Sequence, residues 1–158
     1  MNLELVVAEP KHYAIAIELM KEFYAHFDDL HFDEELSTAA MQALIADSSL
    51  GRVFLLTVDG AVAGYAAVAY GFNLELLGRT AWLDEFYIRE DYRGKGLGSS
   101  VLARLEEICR TEGFKALMLE LDKTNADGLR LYTRNGFKPR HVYEVYVKPL
   151  NTTQPAEG

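Results

Sequence analysis

The sequence has very little cysteine and no long apolar run. Cys109 is the only cysteine among 158 residues, which excludes an internal disulfide. No His, Cys and Asp residues cluster at the spacing of metal ligands, so we expect no metal site. No apolar run approaches the roughly 20 residues that a membrane-spanning helix needs, and the first residues lack the basic-then-apolar pattern of a signal peptide. We therefore expect a cytoplasmic enzyme or binding domain without a membrane partner.

Positive charge is also scarce. The 16 Lys and Arg residues are outnumbered by 24 Asp and Glu residues, which gives a formal net charge of −8. Nucleic-acid binding needs a basic surface, so this balance argues against a nucleic-acid partner. The negative charge suits a small cationic substrate, or it serves only solubility.

The composition indicates one globular domain. Apolar residues make up 49% of the chain and charged residues 25%, which is typical of a soluble protein. The length is also that of a single domain. We assign residues 1–150 to this domain and expect residues 151–158 to form a disordered tail.

Apolar periodicity predicts both helices and strands. Helices are predicted at about 10–26, 34–46, 97–110 and 125–133. Strands are predicted at 3–7, 53–58, 61–70, 81–89 and 115–121, with one or two more from 137 and from 141–148. Asp59-Gly60 joins two strands as a hairpin turn, because both positions take positive φ. The strand 81–89 and the strand 115–121 are predicted to be parallel, because a helix connects them.

The most informative stretch is the turn Asp91–Ser100 (DYRGKGLGSS), between a predicted strand and a predicted helix. Its three glycines leave the backbone N–H groups uncovered, and the following helix adds unpaired amides and the positive end of its dipole. Arg93 and Lys95 add mobile positive charge. The turn therefore predicts a site for a phosphate or pyrophosphate.

Two well-known phosphate sites do not fit this turn. A P-loop needs Lys followed by Ser or Thr after its last glycine, and this pair is missing here. A dinucleotide fingerprint needs Gly-x-Gly-x-x-Gly near the start of a long βαβ series. The glycines here are spaced Gly94-x-Gly96-x-Gly98 and lie deep in the chain. The anion is therefore held by another kind of fold.

Two motifs carry a family resemblance. The first is Arg93-Gly94-Lys95-Gly96-Leu97-Gly98, and the second is Asn125-x-x-Gly128-x-x-Leu131-Tyr132-x-x-x-Gly136-Phe137. Together they resemble the acyl-CoA-binding core of the GNAT family of N-acetyltransferases. Within that family, the stretch 83–94 resembles the spermidine/spermine acetyltransferases, and the whole chain resembles small bacterial members. The resemblance implies an α+β fold, with a mixed, mostly antiparallel sheet of six to seven strands, a splayed parallel strand pair and about four flanking helices.

The resemblance also implies acetyl-CoA as co-substrate and a set of residues that bind it. The pyrophosphate would rest on the turn and the helix start, and the pantetheine arm would pair with the preceding strand. Asn125 would hydrogen-bond the arm. The implied cofactor residues are Phe86, Tyr87, Ile88, Arg93, Gly94, Lys95, Gly96, Leu97, Gly98, Ser99, Asn125 and Gly128.

For catalysis, Tyr132 matches the family tyrosine that protonates the departing thiolate. A phenol with a pKa near 10 is a reasonable acid for a thiolate near 8.5. A carboxylate would accept the proton of the amine. By position, Asp84 matches the acidic residue that acts as base in the similar polyamine enzymes, but there a Glu is followed by an Asp, so the reversed order here keeps Glu85 as a candidate as well. Neighbouring side chains on a strand point to opposite faces unless a bulge intervenes, so the choice between them is open.

The acceptor is the least constrained part. Aromatic and acidic residues between 24 and 35 suit an organic cation, and our candidate substrate-binding residues are Tyr24, Phe27, Asp28 and Glu75. The expected function is acetyl transfer to a primary amine of a small, cationic molecule. The alternatives are a protein or peptide acetyltransferase, a non-catalytic acyl-CoA-binding module and an interaction subunit. Apolar alternation at 143–147 also permits a homodimer.

Overall fold

The computed structural model describes residues 1–27 and 30–150. In this part of the chain, four α-helices surround one five-stranded sheet. The elements are β1 (Leu3–Val7), α1 (Tyr13–Tyr24), α2 (Glu34–Ala46), β2 (Gly51–Val58), β3 (Ala61–Asn73), β4 (Gly78–Ile88), α3 (Leu97–Thr111), β5 (Ala116–Leu119) and α4 (Ala126–Arg134). Short 3-10 helices at Pro10–His12 and Glu90–Tyr92 precede α1 and α3. The mixed α+β class predicted from the sequence is confirmed.

The strands follow the order of the chain across the sheet, β1-β2-β3-β4-β5. The first four are antiparallel. Short turns connect β2 to β3 and β3 to β4, whereas α1 and α2 connect β1 to β2. At the first of these turns Asp59 and Gly60 have φ of 50° and 84°, as the hairpin signal predicts. Only β4 and β5 are parallel, because α3 carries the chain back across the sheet between them.

Two apolar clusters cover the two faces of the sheet. The first cluster places Val101, Leu102 and Leu105 of α3 against one face. The second places Ala16, Leu19 and Met20 of α1 and Met41 of α2 against the other face. The sheet therefore lies between two layers of helices. One face of β4 packs against α3, and the other face packs against α1 and α2. This arrangement decides which side chains of β4 can meet.

The predicted final strands are absent from the described residues, so the sheet has five strands instead of six or seven. No strand forms between 137 and 150, and side chains there are largely exposed, with Val142 at 87% and Tyr146 at 88%. Arg140 and Tyr143 instead bond to Glu75 at the end of the β3–β4 hairpin. Alternating apolar residues form a strand only when an edge pairs with them, and here the segment is held at the hairpin end.

None of the described helices combines the length and the apolar character that crossing a membrane would need.

Candidate active site

The glycine-rich turn follows β4 and leads directly into α3. Gly94 and Gly96 have φ of 74° and 77°, a conformation that other residues adopt only at a cost. A Cβ at either position would meet no atom within 4 Å, so backbone conformation, not crowding, requires glycine. Gly96 is the N-cap of α3, and the first amides of that helix therefore face the turn unpaired.

Gly98 is glycine for a different reason. A Cβ at Gly98 would lie 3.2 Å from two side-chain carbons of Leu131, so glycine lets α4 approach the start of α3. Asn135, just after α4, stabilises the same approach to α3, because its Nδ2 donates to Ser99 Oγ at 3.0 Å. The packing of Gly98 thus fixes the position of α4 and of Tyr132, the residue after Leu131.

A cleft of about 510 Å³ lies between the turn and α4; we call it the turn cleft. Its lining residues are Ile88, Tyr92, Arg93, Gly94, Gly96, Leu97, Gly98, Asp127, Arg130, Leu131 and Arg134. Three arginines line this cleft, and one of them, Arg130, forms an ion pair with Asp127. The remaining positive charge of Arg93 and Arg134 suits the cleft to an anion. Arg130 and Arg134 are not among the cofactor residues predicted from the sequence. Their spacing of four on α4, on either side of Leu131, was the signal that could have found them.

The two cations predicted at the turn differ in position. Arg93 lines the turn cleft, and its Nε donates to the carbonyl of Ile88 at 2.7 Å. Lys95 is exposed, does not line the cleft, and donates to the carbonyl of Asp91 at 2.7 Å. The structure therefore brings Arg93 to the cleft and leaves Lys95 at the outside of the turn.

The end of β4 has a free edge on the side of β5. β5 pairs only with Thr80–Leu83, and among the described residues no strand lies on this side of the last part of β4, which pairs with β3 on its other side. The Arg89 N–H donates to the carbonyl of Ala63 at 2.8 Å, and antiparallel pairing alternates the direction of backbone groups. The backbone groups of Phe86 and Ile88 therefore point away from β3, and those of Tyr87 point toward it. Of the three residues expected to pair with the cofactor arm, two offer backbone groups at this edge.

A β-bulge places both candidate carboxylates on one face of β4. Ala67 pairs with Glu85 and Val68 pairs with Leu83, so Asp84 is an extra residue in β4. Leu83 and Phe86 both pack in the cluster under α3. The two residues between them, Asp84 and Glu85, project from the opposite face, which is covered by α1 and α2. The expectation of opposite faces does not hold here, because the bulge intervenes.

Glu85 is held by two phenols. Tyr24 of α1 donates its hydroxyl to Oε1 at 2.6 Å, and Tyr65 of β3 donates its hydroxyl to Oε2 at 2.7 Å. Tyr65 is fully buried. Burial raises the pKa of Glu85, the two phenol hydrogen bonds oppose that rise, and the negative charge of Asp84 adds to it. Burial and the Glu85 charge raise the pKa of both tyrosines.

Asp84 has different surroundings. Its carboxylate is exposed and makes no hydrogen bond or ion pair with the described residues. It lines a second cleft of about 250 Å³ together with Ala69, Trp82, Leu83 and Glu120, which we call the carboxylate cleft. The surrounding protein atoms partly desolvate Asp84 and raise its pKa. An exposed carboxylate with a raised pKa can exchange protons with a bound molecule.

Tyr132 packs in the cluster under α3, with its ring 5.6 Å from the ring of Phe137 and nearly perpendicular to it. Burial raises the pKa of Tyr132 to about 12, so the phenol keeps its proton at neutral pH. Its helix is capped by Asn125, whose Oδ1 accepts from the Gly128 N–H at 2.8 Å. A Cβ at Gly128 would lie 2.8 Å from Asn125 Nδ2, so Gly128 makes room for the cap.

The candidate substrate-binding residues are spread over three places. Tyr24 donates a hydrogen bond to Glu85 of the carboxylate pair. Phe27 packs edge-on against Phe23, with ring centroids 5.2 Å apart. Asp28 lies outside the described residues. Glu75 accepts hydrogen bonds from Arg140 and Tyr143 at the hairpin end, and the strand between it and Asp84 spans about 20 Å. The structure does not bring Glu75 to the carboxylate pair.

Comparison with known proteins identifies the family. The sequence profile of the acetyltransferase (GNAT) family matches residues 13–137, and the chain belongs to this family. A spermine/spermidine N(1)-acetyltransferase of Bacillus subtilis (strain 168) is 40% identical over 58 residues. That match covers 36% of this chain and 38% of the relative, so the chain aligns with little more than a third of the relative's length.

Two solved structures share the fold. A possible acetyltransferase from Clostridium difficile 630 superposes with a TM-score of 0.82 at 19% identity, covering 96% of this chain and 99% of that chain. The aminoglycoside N-acetyltransferase AAC(6')-Iy, solved in complex with CoA, superposes with a TM-score of 0.77 at 13% identity, covering 93% and 95%. At these identities the likeness concerns the fold alone.

Proposed function

We propose that this protein is an acetyl-CoA-dependent N-acetyltransferase that transfers the acetyl group directly to a primary amine of a small, cationic molecule. The observation that carries the proposal is the continuity of β4. One strand presents a carboxylate pair at its bulge, then a free backbone edge, and then runs into an anion-binding turn. An extended acyl carrier with a phosphate at one end and a reactive carbonyl at the other matches this order.

The residues present fit the co-substrate. The turn amides, the N-terminus of α3 and the arginines of the turn cleft suit a pyrophosphate. The backbone N–H and carbonyl of Phe86 and the N–H of Ile88 suit amides of an extended arm, which would add to the sheet edge. The Ile88 carbonyl accepts from Arg93 instead. The CoA complex of AAC(6')-Iy, which shares the fold, supports this choice. When bound, acetyl-CoA supplies an acetyl group activated as a thioester.

The protein supplies proton transfer at two places. An ammonium group must lose a proton before its nitrogen can attack, and the carboxylate pair accepts that proton. The new C–N bond replaces the C–S bond, and Tyr132 gives its proton to the departing thiolate. The phenol regains a proton from the nitrogen, which has become an amide. Holding both reactants in one cleft removes the need for a covalent enzyme intermediate.

The carboxylate cleft supports the proposed acceptor class. Asp84 and Glu120 supply negative charge and Trp82 supplies an aromatic ring, a combination that attracts a protonated amine. The volume of about 250 Å³ suits a small molecule more than a folded peptide segment. The similarity to a spermine/spermidine N(1)-acetyltransferase points the same way. Acetylation of a peptide N-terminus or lysine is the alternative.

We also propose that the protein forms a homodimer through residues 142–150. Val145, Val147 and Leu150 are 63–96% exposed, and a second copy would cover these apolar side chains. Sedimentation velocity should give twice the monomer mass, and Val147→Asp should lower it toward the monomer. A wild-type protein that sediments as a monomer at all concentrations would contradict this part.

Release of free CoA from acetyl-CoA, screened over polyamines, aralkylamines, amino acids, aminoglycosides and peptides, tests the proposed function. We expect turnover with small cationic amines and little with peptides. Turnover with peptides alone would overturn the acceptor class. Binding of acetyl-CoA by calorimetry without turnover of any amine would instead support a non-catalytic acyl-CoA-binding module.

A further inference from the structure

The side chain of Arg93 reaches from the glycine-rich turn to the end of α1. Its guanidinium lies 5.5 Å from the ring centroid of Tyr87, a buried side chain on the face of β4 that α1 covers. Its terminal nitrogen Nη2 lies 3.4 Å from Nε2 of His26, just after α1. The imidazole of His26 packs against the edge of the same Tyr87 ring, with ring centroids 5.4 Å apart. The turn and the helix thus meet on one buried ring.

Two contacts fix the protonation of the His26 imidazole. Its Nδ1 lies 2.8 Å from the carbonyl oxygen of Glu22, and a carbonyl only accepts, so Nδ1 carries a proton. A guanidinium only donates, so Nε2 must offer its lone pair to Arg93. The ring that satisfies both contacts is the neutral imidazole with its proton on Nδ1. His26 therefore accepts a hydrogen bond from Arg93.

The contacts of Arg93 leave part of its guanidinium for a ligand. A guanidinium has five N–H donors. The donor on Nε bonds to the carbonyl of Ile88 at 2.7 Å, and one donor on Nη2 bonds to His26. Among the described residues the other three donors have no hydrogen-bond partner, and Arg93 lines the turn cleft. Arg93 is thus held at two points and can donate to an anion with the rest.

Holding an arginine in place matters most where its side chain is exposed. Arg93 is exposed, and a free arginine side chain loses rotamer freedom when it binds a ligand. Bonds that orient the guanidinium before the ligand arrives remove part of that cost. Ile88 supplies one such bond from β4, and His26 supplies another from the end of α1. The end of α1 therefore contributes to the turn cleft although His26 does not line it.

Resting on the proposed function, we propose that His26 is a positioning residue for acetyl-CoA, because its neutral imidazole holds the Arg93 guanidinium for the pyrophosphate. His26 itself makes no bond to the co-substrate. The same end of α1 carries Tyr24, whose hydroxyl bonds to Glu85 of the carboxylate pair. The last turn of α1 thus contacts both the acceptor side and the co-substrate side of β4.

Calorimetric binding of CoA, without an acceptor, tests this role apart from catalysis. His26→Leu keeps a side chain of similar size and removes both ring nitrogens. It should weaken CoA binding by about three- to fivefold, the effect of losing one hydrogen bond at the surface. His141→Leu, at an exposed position after α4, is the control and should bind CoA as wild type does. Equal binding by His26→Leu and wild type would overturn the assignment.

Two polar variants separate the two bonds of the imidazole. The amide oxygen of Gln reaches as far as Nε2, so His26→Gln can still accept from Arg93 and should bind CoA within about twofold of wild type. The Asn amide ends at the position of Nδ1, so His26→Asn can bond to the Glu22 carbonyl but does not reach Arg93. It should bind CoA as weakly as His26→Leu. The opposite result, with Asn restoring binding and Gln failing to do so, would overturn the assignment.

A double-mutant cycle shows whether His26 acts through Arg93. Arg93→Ala removes the guanidinium, so adding His26→Leu to it should weaken CoA binding by less than about twofold more. A further loss of about three- to fivefold in the double variant would show that His26 acts independently of Arg93. That result would overturn the assignment and leave the proposed function standing. A wild-type protein that binds no CoA would overturn the proposed function and the assignment with it.

Discussion

The turn cleft and the carboxylate cleft are built in different ways. The turn cleft takes its backbone amides, its helix N-terminus and its glycines from one continuous stretch of chain, to which α4 adds arginine side chains. The carboxylate cleft depends on a bulge and on side chains from distant elements. Tyr65 and Tyr24 lie 20 and 61 residues from Glu85. Under the proposed function, the backbone groups of the turn cleft would recognise what every acyl-CoA shares, and the side chains of the carboxylate cleft could change the acceptor by substitution.

The largest expected effect is at Tyr132, which follows Leu131 of the turn cleft. Tyr132→Phe should lower kcat by about 10²–10⁴-fold, because the thiolate would leave without its acid, with little change in acetyl-CoA affinity. Steady-state kinetics and calorimetry measure the two quantities. Tyr146→Phe, at an exposed position, should match wild type. A Tyr132→Phe enzyme with wild-type kcat would remove the acid role.

The second prediction uses the contact between Gly98 and Leu131. Gly98→Ala adds a methyl 3.2 Å from Leu131, which should displace α4 and lower kcat by roughly tenfold, with a loss of about 1–3 kcal/mol in the free energy of unfolding. Ser100→Ala, two residues along α3 and exposed, is the control and should change neither. Unchanged thermal stability and kcat in Gly98→Ala would show that this packing does not position Tyr132.

A third prediction isolates the turn cleft. Arg134→Ala should raise KM for acetyl-CoA by roughly fivefold, the effect of losing about one charge-assisted hydrogen bond, and leave kcat unchanged. The rise should shrink at high salt, because ions screen the attraction. Arg110→Ala removes an equal charge that pairs with Glu106 away from the cleft. If both variants raise KM equally, net charge alone explains the effect.

The smallest expected effect concerns stability and belongs to the carboxylate cleft. The folded state raises the pKa of Glu85 above its usual value of 4.5, so just above pH 4.5 the folded protein binds more protons here than the unfolded chain does. This contribution favours folding at low pH and is lost as pH rises through the folded pKa. Urea unfolding at a series of pH values should therefore show that the stability of Glu85→Gln, relative to wild type, increases as the pH is raised from 4 to 7.

The control for that measurement is Glu75→Gln, because bonds from Arg140 and Tyr143 lower the pKa of Glu75. Relative to wild type, this variant should lose stability as pH rises to about 5 and should show no further change above that pH, because a lowered pKa adds its full stability once the unfolded chain is also ionised. A stability difference between Glu85→Gln and wild type that does not vary with pH would contradict a raised pKa of the buried Glu85 carboxylate.

The two regions also differ in how far the sequence predicts them. The conformations of Gly94 and Gly96, the start of α3 at Leu97 and the cap at Asn125 are local, so turn and helix signals predict them. The arginines at 130 and 134 face the turn only because α4 packs on Gly98, and that contact is made in three dimensions.

The bulge at Asp84 depends on the register between β3 and β4, which no local pattern of β4 reveals. The phenol bonds to Glu85 are likewise long-range. The alternation at 143–147 predicts a strand correctly only if an edge pairs with it, and Arg140 and Tyr143 contact Glu75 instead. Helices and turns that depend on neighbouring residues are thus predictable from the sequence. The arrangement of the carboxylate cleft depends on long-range contacts, which the sequence alone does not reveal.

A crystal structure of the protein with CoA tests the central claim most directly. We expect the pyrophosphate within hydrogen-bond distance of the amides between 94 and 99, and the pantetheine arm paired with backbone groups of Phe86 and Ile88. The thiol end should lie at the bulge, near Asp84 and the Tyr132 hydroxyl. CoA bound elsewhere, or an arm that does not run along β4, would contradict the account.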